Sequence, residues 1–250
     1  MVTLHRTAMA DCMSLQIASY NCRGYNEWKQ GYIKSLLSQV SVLFLQEHWL
    51  SDIQLQTLCD IDTDFQCCGV SGFDNSDVLS GRPFGGCAIL WRSALNCSVR
   101  IINSGSRRVC SVTMECEKFN LLFINVYMPY EGGDLMTDEF DDQLATVENL
   151  INDHLDCYII VGGDFNVDLS RAWVHTAMLK SFCENNGLEP AVMHKNSKVD
   201  YTYSFNMCRF NILDHFLVSG VVLFLIMVLI ICAHYMMWII CLTTILLLSL

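Results

Sequence analysis

The chain has 250 residues, of which 52% are hydrophobic, 16% are charged and 3 are proline, a composition that excludes a disordered protein and allows a large buried core. Its 15 basic and 26 acidic residues give a net charge of −11, which excludes a basic protein that binds nucleic acid by charge alone. A polyanion would therefore need a local basic strip or bound metal cations.

Short apolar runs alternate with polar turns up to residue 219, and these runs carry the β-branched and aromatic residues that strands favour. They predict strands over residues 15–20, 42–46, 86–91, 109–116, 121–127, 158–161 and 214–219. Apolar residues at helical spacing predict helices over residues 27–40, 138–154 and 172–185. Strands flanked by a few helices indicate a layered fold.

Residues 220–250 contain no Asp, Glu, Lys or Arg. As a helix this run would reach about 46 Å, more than the roughly 30 Å hydrocarbon core of a membrane. We therefore predict that residues 221–242 form a helix that spans a lipid bilayer and leaves the rest of the chain in the cytosol. The alternative is a helix packed on the domain itself, in a cytoplasmic or nuclear protein.

The cysteines are scattered along the chain. All 14 lie outside any CxxC spacing, and the first 13 residues lack an apolar run of signal length. This distribution predicts free thiols in a reducing compartment, without a structural zinc site.

Polar side chains suited to metal and phosphate chemistry stand at the ends of the predicted strands or within the last of them. Taken singly, each has an ordinary explanation, such as a solvated turn or a hydrogen bond in the core. Their recurrence predicts that they converge on one sheet edge, where carboxylates and amides hold a hard divalent cation and orient a phosphate. The residues are Asn21, Glu47, Tyr127, Asp164, Asn166 and Asp214.

Six segments occur in the order found in the endonuclease/exonuclease/phosphatase superfamily: SYNCRG, LFLQEHWL, GRPFGGCAILW, NVYMP, VGGDFNVDL and YTYSFNMCRFNILDHFLVS. Over residues 15–219 the chain most resembles the apurinic-type endonuclease domain at the start of LINE-type (non-LTR) retrotransposon polyproteins. The resemblance implies an α+β fold of the apurinic-endonuclease or DNase I type, in which a two-layered β-sandwich is flanked by helices. It divides the chain into an N-terminal segment (1–13), the endonuclease-like domain (14–219) and the hydrophobic tail (220–250).

The same resemblance implies a metal site. Glu47 matches the family's ligand of Mg²⁺, and Mn²⁺ is the second cation that such a site accepts. Asn21 lies beside Glu47 in the metal and phosphate network. Arg23 occupies a position where apurinic-repair relatives often have an acidic residue, and an arginine there is typical of the retrotransposon branch.

Four further residues match catalytic positions of the family. Tyr127 corresponds to the tyrosine that contacts the scissile phosphate, and Asp164 to the residue that orients or deprotonates the attacking water. Asn166 corresponds to the amide that steadies the phosphoryl oxygens, and Asp214 to the aspartate that supports the catalytic histidine. The implied substrate is the phosphodiester backbone of DNA.

The last part of the family pattern is different here. Relatives end with a Ser-Asp-His motif that supplies the catalytic histidine, and no such motif follows Ser219. His215 is a poor substitute, because neighbouring residues of a strand face opposite sides. We therefore expect a C-terminally truncated, incomplete sandwich that lacks one sheet element and is followed by a hydrophobic helix.

These observations predict a Mg²⁺-dependent DNA endonuclease domain of retroelement origin that is weak or inactive. Two alternatives stay open at this point. One is a membrane-tethered lipid phosphodiesterase of the same superfamily, which the acidic charge balance and the tail favour. The other is a non-catalytic, membrane-associated remnant.

Overall fold

Two six-stranded sheets pack face to face in the computed structural model, which describes residues 12–73, 83–117, 119–193, 201–205, 209–219, 227–232 and 239–248. The strands are β1 (Cys12–Asn21), β2 (Val42–Gln46), β3 (Phe65–Val70), β4 (Cys87–Arg92), β5 (Cys97–Ile102), β6 (Val109–Cys116), β7 (Asn120–Tyr127), β8 (Cys157–Asp164), β9 (Leu188–Pro190), β10 (Tyr203–Phe205), β11 (Arg209–Asn211), β12 (Asp214–Ser219), β13 (Met227–Cys232) and β14 (Ile239–Leu248). The helices are α1 (Glu27–Leu37), α2 (Gln56–Cys59), α3 (Asp134–Asn152) and α4 (Val174–Asn185), with 3₁₀ turns at Asp52–Gln54 and Ala191–Met193.

The first sheet has the order β13-β14-β1-β2-β4-β3 and the second the order β5-β6-β7-β8-β12-β9, while β10 and β11 form a separate hairpin. Both sheets are mixed, because β1 and β2 are parallel, as are β7 and β8, whereas the other neighbours are antiparallel. Mixed sheets flanked by helices confirm the predicted layered α+β architecture.

The core lies in three layers, one between the sheets and one under the helices of each outer face. Phe44 of β2 meets Phe123 and Phe216 of the second sheet, with ring centroids 6.0 and 5.8 Å apart. Helix α1 covers the outer face of the first sheet, whereas α3 and α4 cover that of the second. A strand with apolar cover on both faces has no solvated side, which explains the unbroken apolar run of β2.

All seven predicted strands and all three predicted helices exist, with bounds that differ by at most four residues. Helix α4 ends before Gly187, which adopts a φ of +61° and so provides the expected stop. The sequence does not predict β3, β5, α2 or the short strands β9 to β11. These elements are brief or half-exposed, so their apolar pattern is weak.

The C-terminal run differs from its prediction. Residues 227–232 and 239–248 are strands, so a helix over residues 221–242 is wrong for these segments. β14 pairs antiparallel with β1, so the sheet that we expected to lack one element continues past β1. Open strand edges favour pairing, and the run is rich in residues that suit strands as well as helices.

None of the helices in the described residues has the length and apolar character needed to cross a membrane. The association of residues 220–250 with a bilayer stays a prediction.

Two disulfides correct the expectation that all cysteines are free. Cys97 and Cys116 face each other across the β5–β6 pair, and Cys59 at the end of α2 meets Cys67 on β3. Neither pairing has a motif spacing, because the sheet register and the packing of α2 bring these cysteines together.

His175 on α4 is fully buried, and its ring stacks on Phe140 at a centroid distance of 4.2 Å. Burial lowers the pKa of His175 below 6.5, because the charged imidazolium is poorly solvated there. At this position the unfolded chain therefore binds a proton more readily than the folded chain. The stability that the neutral His175 provides at higher pH is lost as the pH falls below about 6.5.

We expect His175→Phe, which keeps the ring stack, to lose less stability than the wild type between pH 7.5 and 5.5. The difference in the free energy of unfolding should reach up to about 1.4 kcal/mol, measured by urea denaturation. Equal losses in the two proteins would contradict the prediction.

Candidate active site

Strand pairing places the predicted residues at one edge of the sandwich. In the first sheet, Asn21 ends β1 opposite Gln46, the residue before Glu47. In the second sheet, Asp164 ends β8 and lies beside both Tyr127 and Asp214. Because the parallel pairs end at the same edge, residues far apart in the chain meet there.

A cavity of about 880 Å³ opens at this edge. Asn21, Glu47, Tyr127, Asp164, Asn166 and Asp214 all line it. The structure thus brings together every residue that the sequence singled out, and their chemical roles stay predictions.

Asn21 connects two carboxylates. Its Nδ2 donates to Glu47 Oε1 and to Asp164 Oδ2, both at 2.8 Å, so one amide bridges the two sheets. Its Oδ1 accepts from the backbone N–H of Arg23 at 3.1 Å. Asn21 therefore positions the two carboxylates, and its place in the metal and phosphate network stays a prediction. Trp49 Nε1 donates a hydrogen bond to the second carboxylate oxygen of Glu47, Oε2, at 3.2 Å.

Burial makes the carboxyl groups of Asp164 and Asp214 less acidic. The pKa of Asp164 is raised to about 6 by desolvation, although hydrogen bonds from Asn21 and Asn166 oppose the shift. The pKa of Asp214 is raised well above its ordinary value by burial and by the charge of Asp164, against a hydrogen bond with Thr202. A base with a pKa near neutrality accepts protons efficiently at physiological pH.

Tyr127 is held in its protonated form. Burial raises its pKa, and the charges of Glu47 and Asp164 raise it further. Arg108 makes two contacts with Tyr127. Its guanidinium lies 5.3 Å from the ring centroid, and its Nη1 donates a hydrogen bond to the Tyr127 carbonyl at 3.2 Å. Arg108 is also paired with Glu139 of α3 at 2.6 Å. Tyr127 is thus a fixed hydrogen-bond donor.

Asn166 is oriented by two hydrogen bonds. Its backbone N–H donates to Asp164 Oδ1 at 3.0 Å, and its Nδ2 donates to the Met128 carbonyl at 2.9 Å. The second amide hydrogen remains available for a ligand, because a primary amide carries two.

Four non-glycine residues in the described part of the chain have a positive φ between 45° and 61°. Each lines the cavity: Arg23, Glu47, Trp49 and Asn166. Such conformations cost on the order of 1–3 kcal/mol each and persist only where the surroundings enforce them. Their clustering marks this edge as a functional site independently of residue type.

Asp214 has no histidine partner among the described residues. His215 lies on the other side of its strand, where its Nε2 contacts the Val167 carbonyl at 2.7 Å. This placement agrees with the expected alternation of neighbouring strand residues. His5, His194 and His234 lie outside the described residues.

The residues present suit a hard cation that keeps part of its water shell. Within the described ranges, no three acidic, histidine or cysteine side chains form a complete metal cage. Mg²⁺ needs no such cage, since it binds through one or two carboxylates, waters and substrate phosphates. The carboxylates of Glu47 and Asp164, joined through one amide, provide oxygen donors and an excess of negative charge.

Several residues that line the cavity are not among the site residues predicted from the sequence. Trp49, Thr202, Tyr130 and Trp173 all line the cavity from loops or strand ends. Trp49 and Thr202 fall within the quoted segments LFLQEHWL and YTYSFNMCRFNILDHFLVS, which is the signal that would have found them. Tyr130 and Trp173 carry no such signal.

A sandwich of two mixed sheets with carboxylates, amides and a tyrosine at one edge is the architecture of nucleases and phosphatases that act on phosphate esters. The chain belongs to the Endonuclease/Exonuclease/phosphatase family, whose sequence profile matches residues 18–231. This match confirms the superfamily that the sequence segments indicated. No curated protein matches the chain by sequence.

Solved structures show the same fold at low sequence identity. The 3′ phosphatase NExo from Neisseria, bound to a product DNA hairpin, is 16% identical with a TM-score of 0.70 over 92% of this chain and 99% of that chain. The endonuclease domain of TRAS1, a telomere-specific non-LTR retrotransposon, is 10% identical with a TM-score of 0.65 over 93% and 98%. The AP endonuclease LMAP from Leishmania major is 10% identical with a TM-score of 0.70 over 92% and 87%.

Proposed function

We propose that this protein hydrolyses phosphodiester bonds of DNA with the help of Mg²⁺, or of Mn²⁺ in its place. The observation that carries the proposal is the bridge from Asn21 to Glu47 and Asp164, which fixes two carboxylates from different sheets at one cavity. The endonuclease domain of TRAS1 and the DNA-bound NExo share the fold, which supports a nucleic-acid substrate.

Glu47 would hold the cation, and Asn21 and Trp49 keep its carboxylate in place. A bound divalent cation supplies positive charge that neutralises the charge developing on the phosphoryl oxygens. The Asp164 carboxylate accepts a proton from the attacking water. The amide of Asn166 and the phenol of Tyr127 donate hydrogen bonds to the phosphoryl oxygens, where negative charge grows in the transition state.

We further propose that hydrolysis is slow. Asp214 has no histidine to orient among the described residues, so no general acid or base is paired with it. Loss of such a group typically lowers a rate by about 10²–10⁴-fold.

Nicking of supercoiled plasmid DNA tests the proposal. We expect slow conversion to the relaxed form with MgCl₂ or MnCl₂ and none with EDTA, because the cation supplies charge that the residues alone do not provide. Glu47→Gln, which keeps the shape but removes the charge, should abolish the metal-dependent signal.

Glu115→Gln is the matched control, because Glu115 pairs with Arg100 on the exposed β5–β6 surface, away from the cavity. Activity that persists in EDTA, or in Glu47→Gln, would contradict the proposed chemistry.

A further inference from the structure

Two exposed aromatic side chains stand on the wall of the same cavity. Tyr130 follows β7 and is 63% exposed, and Trp173 precedes α4 and is 44% exposed. Single exposed apolar side chains are common on protein surfaces, whereas two exposed aromatic side chains on the wall of one polar cavity are a more specific feature.

A hydrogen bond fixes the relation between the two loops. The carboxylate of Glu131, next to Tyr130, accepts the backbone N–H of Val174, next to Trp173, at 2.9 Å. This bond joins the loop after β7 to the first turn of α4. The two aromatic residues are therefore presented together.

The charges around the cavity give phosphates little attraction. Arg23 is the only basic side chain among the described residues that line the cavity, and four acidic side chains line it: Glu47, Glu131, Asp164 and Asp214. The whole chain carries a net charge of −11. A protein that tracks a long duplex through its phosphates needs many basic contacts, which this surface lacks. Without a bound cation, the affinity must therefore come from another part of the nucleotide.

We propose that Tyr130 and Trp173 stack on an unpaired nucleobase, so that the site takes single-stranded or frayed DNA in preference to a closed duplex. This inference rests on the proposed nuclease function and names the form of its substrate. Bases in a closed duplex already stack on each other, whereas an unpaired base offers both faces to aromatic side chains. The cavity of about 880 Å³ has room for a nucleotide beside the carboxylates.

The binding test uses the full-length protein in EDTA and three fluorescent probes of equal length. These are a single-stranded oligonucleotide, its duplex, and a strand in which abasic linkers replace the nucleotides. We expect the single strand to bind about tenfold more tightly than either of the others. Trp173→Ala and Tyr130→Ala should each weaken single-strand binding by at least about fivefold, in the range of base–aromatic stacking.

Two further variants control the experiment. Trp173→Phe retains an aromatic face and should keep most of the affinity. Trp28→Ala removes a tryptophan that is 86% exposed on α1 and does not line the cavity, so binding should not change. Equal binding of the three probes, or unchanged affinity in both alanine variants at the cavity, would overturn the inference.

Cleavage of the single strand and the duplex with MgCl₂ separates the inference from the proposed function. Cleavage that occurs equally well on both probes, with unchanged KM in Trp173→Ala, would leave the nuclease function intact and overturn the stacking role. Base-dependent binding without any cleavage would overturn the nuclease function and leave the stacking role supported.

Discussion

Asp164→Asn is expected to reduce phosphodiester hydrolysis by about 10²–10⁴-fold, the usual effect of losing a general base. The amide keeps the size of the carboxyl group and its place beside Asn21 and Asn166, but it cannot accept the proton of the attacking water. Single-turnover nicking of supercoiled DNA at saturating MgCl₂ measures the loss.

The same substitution should leave the protein folded. Burial raises the pKa of Asp164, which means that its charged form destabilises the folded state. The amide nitrogen of Asn cannot accept one of the two hydrogen bonds from Asn21 and Asn166, and this loss opposes the relief of the buried charge. Without metal, the free energy of unfolding of Asp164→Asn should therefore stay within about 1.5 kcal/mol of that of the wild type. Asp156→Asn is the control, since Asp156 lies on the exposed surface and bonds only to nearby groups such as Asn120. Wild-type activity in Asp164→Asn would exclude a proton-accepting role.

Asn125→Ala is expected to lower the free energy of unfolding by about 3 kcal/mol or more. Asn125 is fully buried between the sheets, where its Nδ2 donates to the carbonyls of Leu45 and Ala88 at 2.9 and 2.8 Å. Its Oδ1 accepts from Gln46 Nε2 at 2.6 Å. Removal leaves buried polar groups without these partners, at about 1–3 kcal/mol each, and adds a small cavity.

Urea denaturation at neutral pH measures this change. Asn120→Ala removes an asparagine whose side chain bonds to Asp156 at the surface, so its effect should stay within about 0.5 kcal/mol. Equal stability of the two variants would show that the buried bonds of Asn125 contribute little. Because Gln46 adjoins Glu47, Asn125→Ala should also reduce nicking under conditions where the protein remains folded.

The rule that polar residues at the ends of neighbouring buried strands meet at one sheet edge predicted the convergence of the site. Asn21, Tyr127 and Asp164 each follow or end a buried apolar run, and parallel pairing brings such ends together. The rule cannot predict which atom of Asn21 faces the carboxylates, because that depends on the backbone of Arg23. It also misses Trp173, which a loop brings to the cavity.

The C-terminal run shows a different limit. An apolar segment without a polar face has no period that separates a buried strand from a buried helix. Its length favoured a membrane helix, whereas the structure pairs residues 239–248 with β1. The available edge of β1 is a tertiary feature, and a local pattern does not contain it.

The pairing of β1 with β14 also sets an order of events during synthesis. β1 ends in Asn21, and its antiparallel partner extends to Leu248. A ribosome adds about 5–20 residues per second, so roughly 10–50 s separate the appearance of the two strands. During that interval one edge of β1 is open to water or to a chaperone. The outer edge of the strand that carries Asn21 is thus paired only after the residues of β14 have been synthesised.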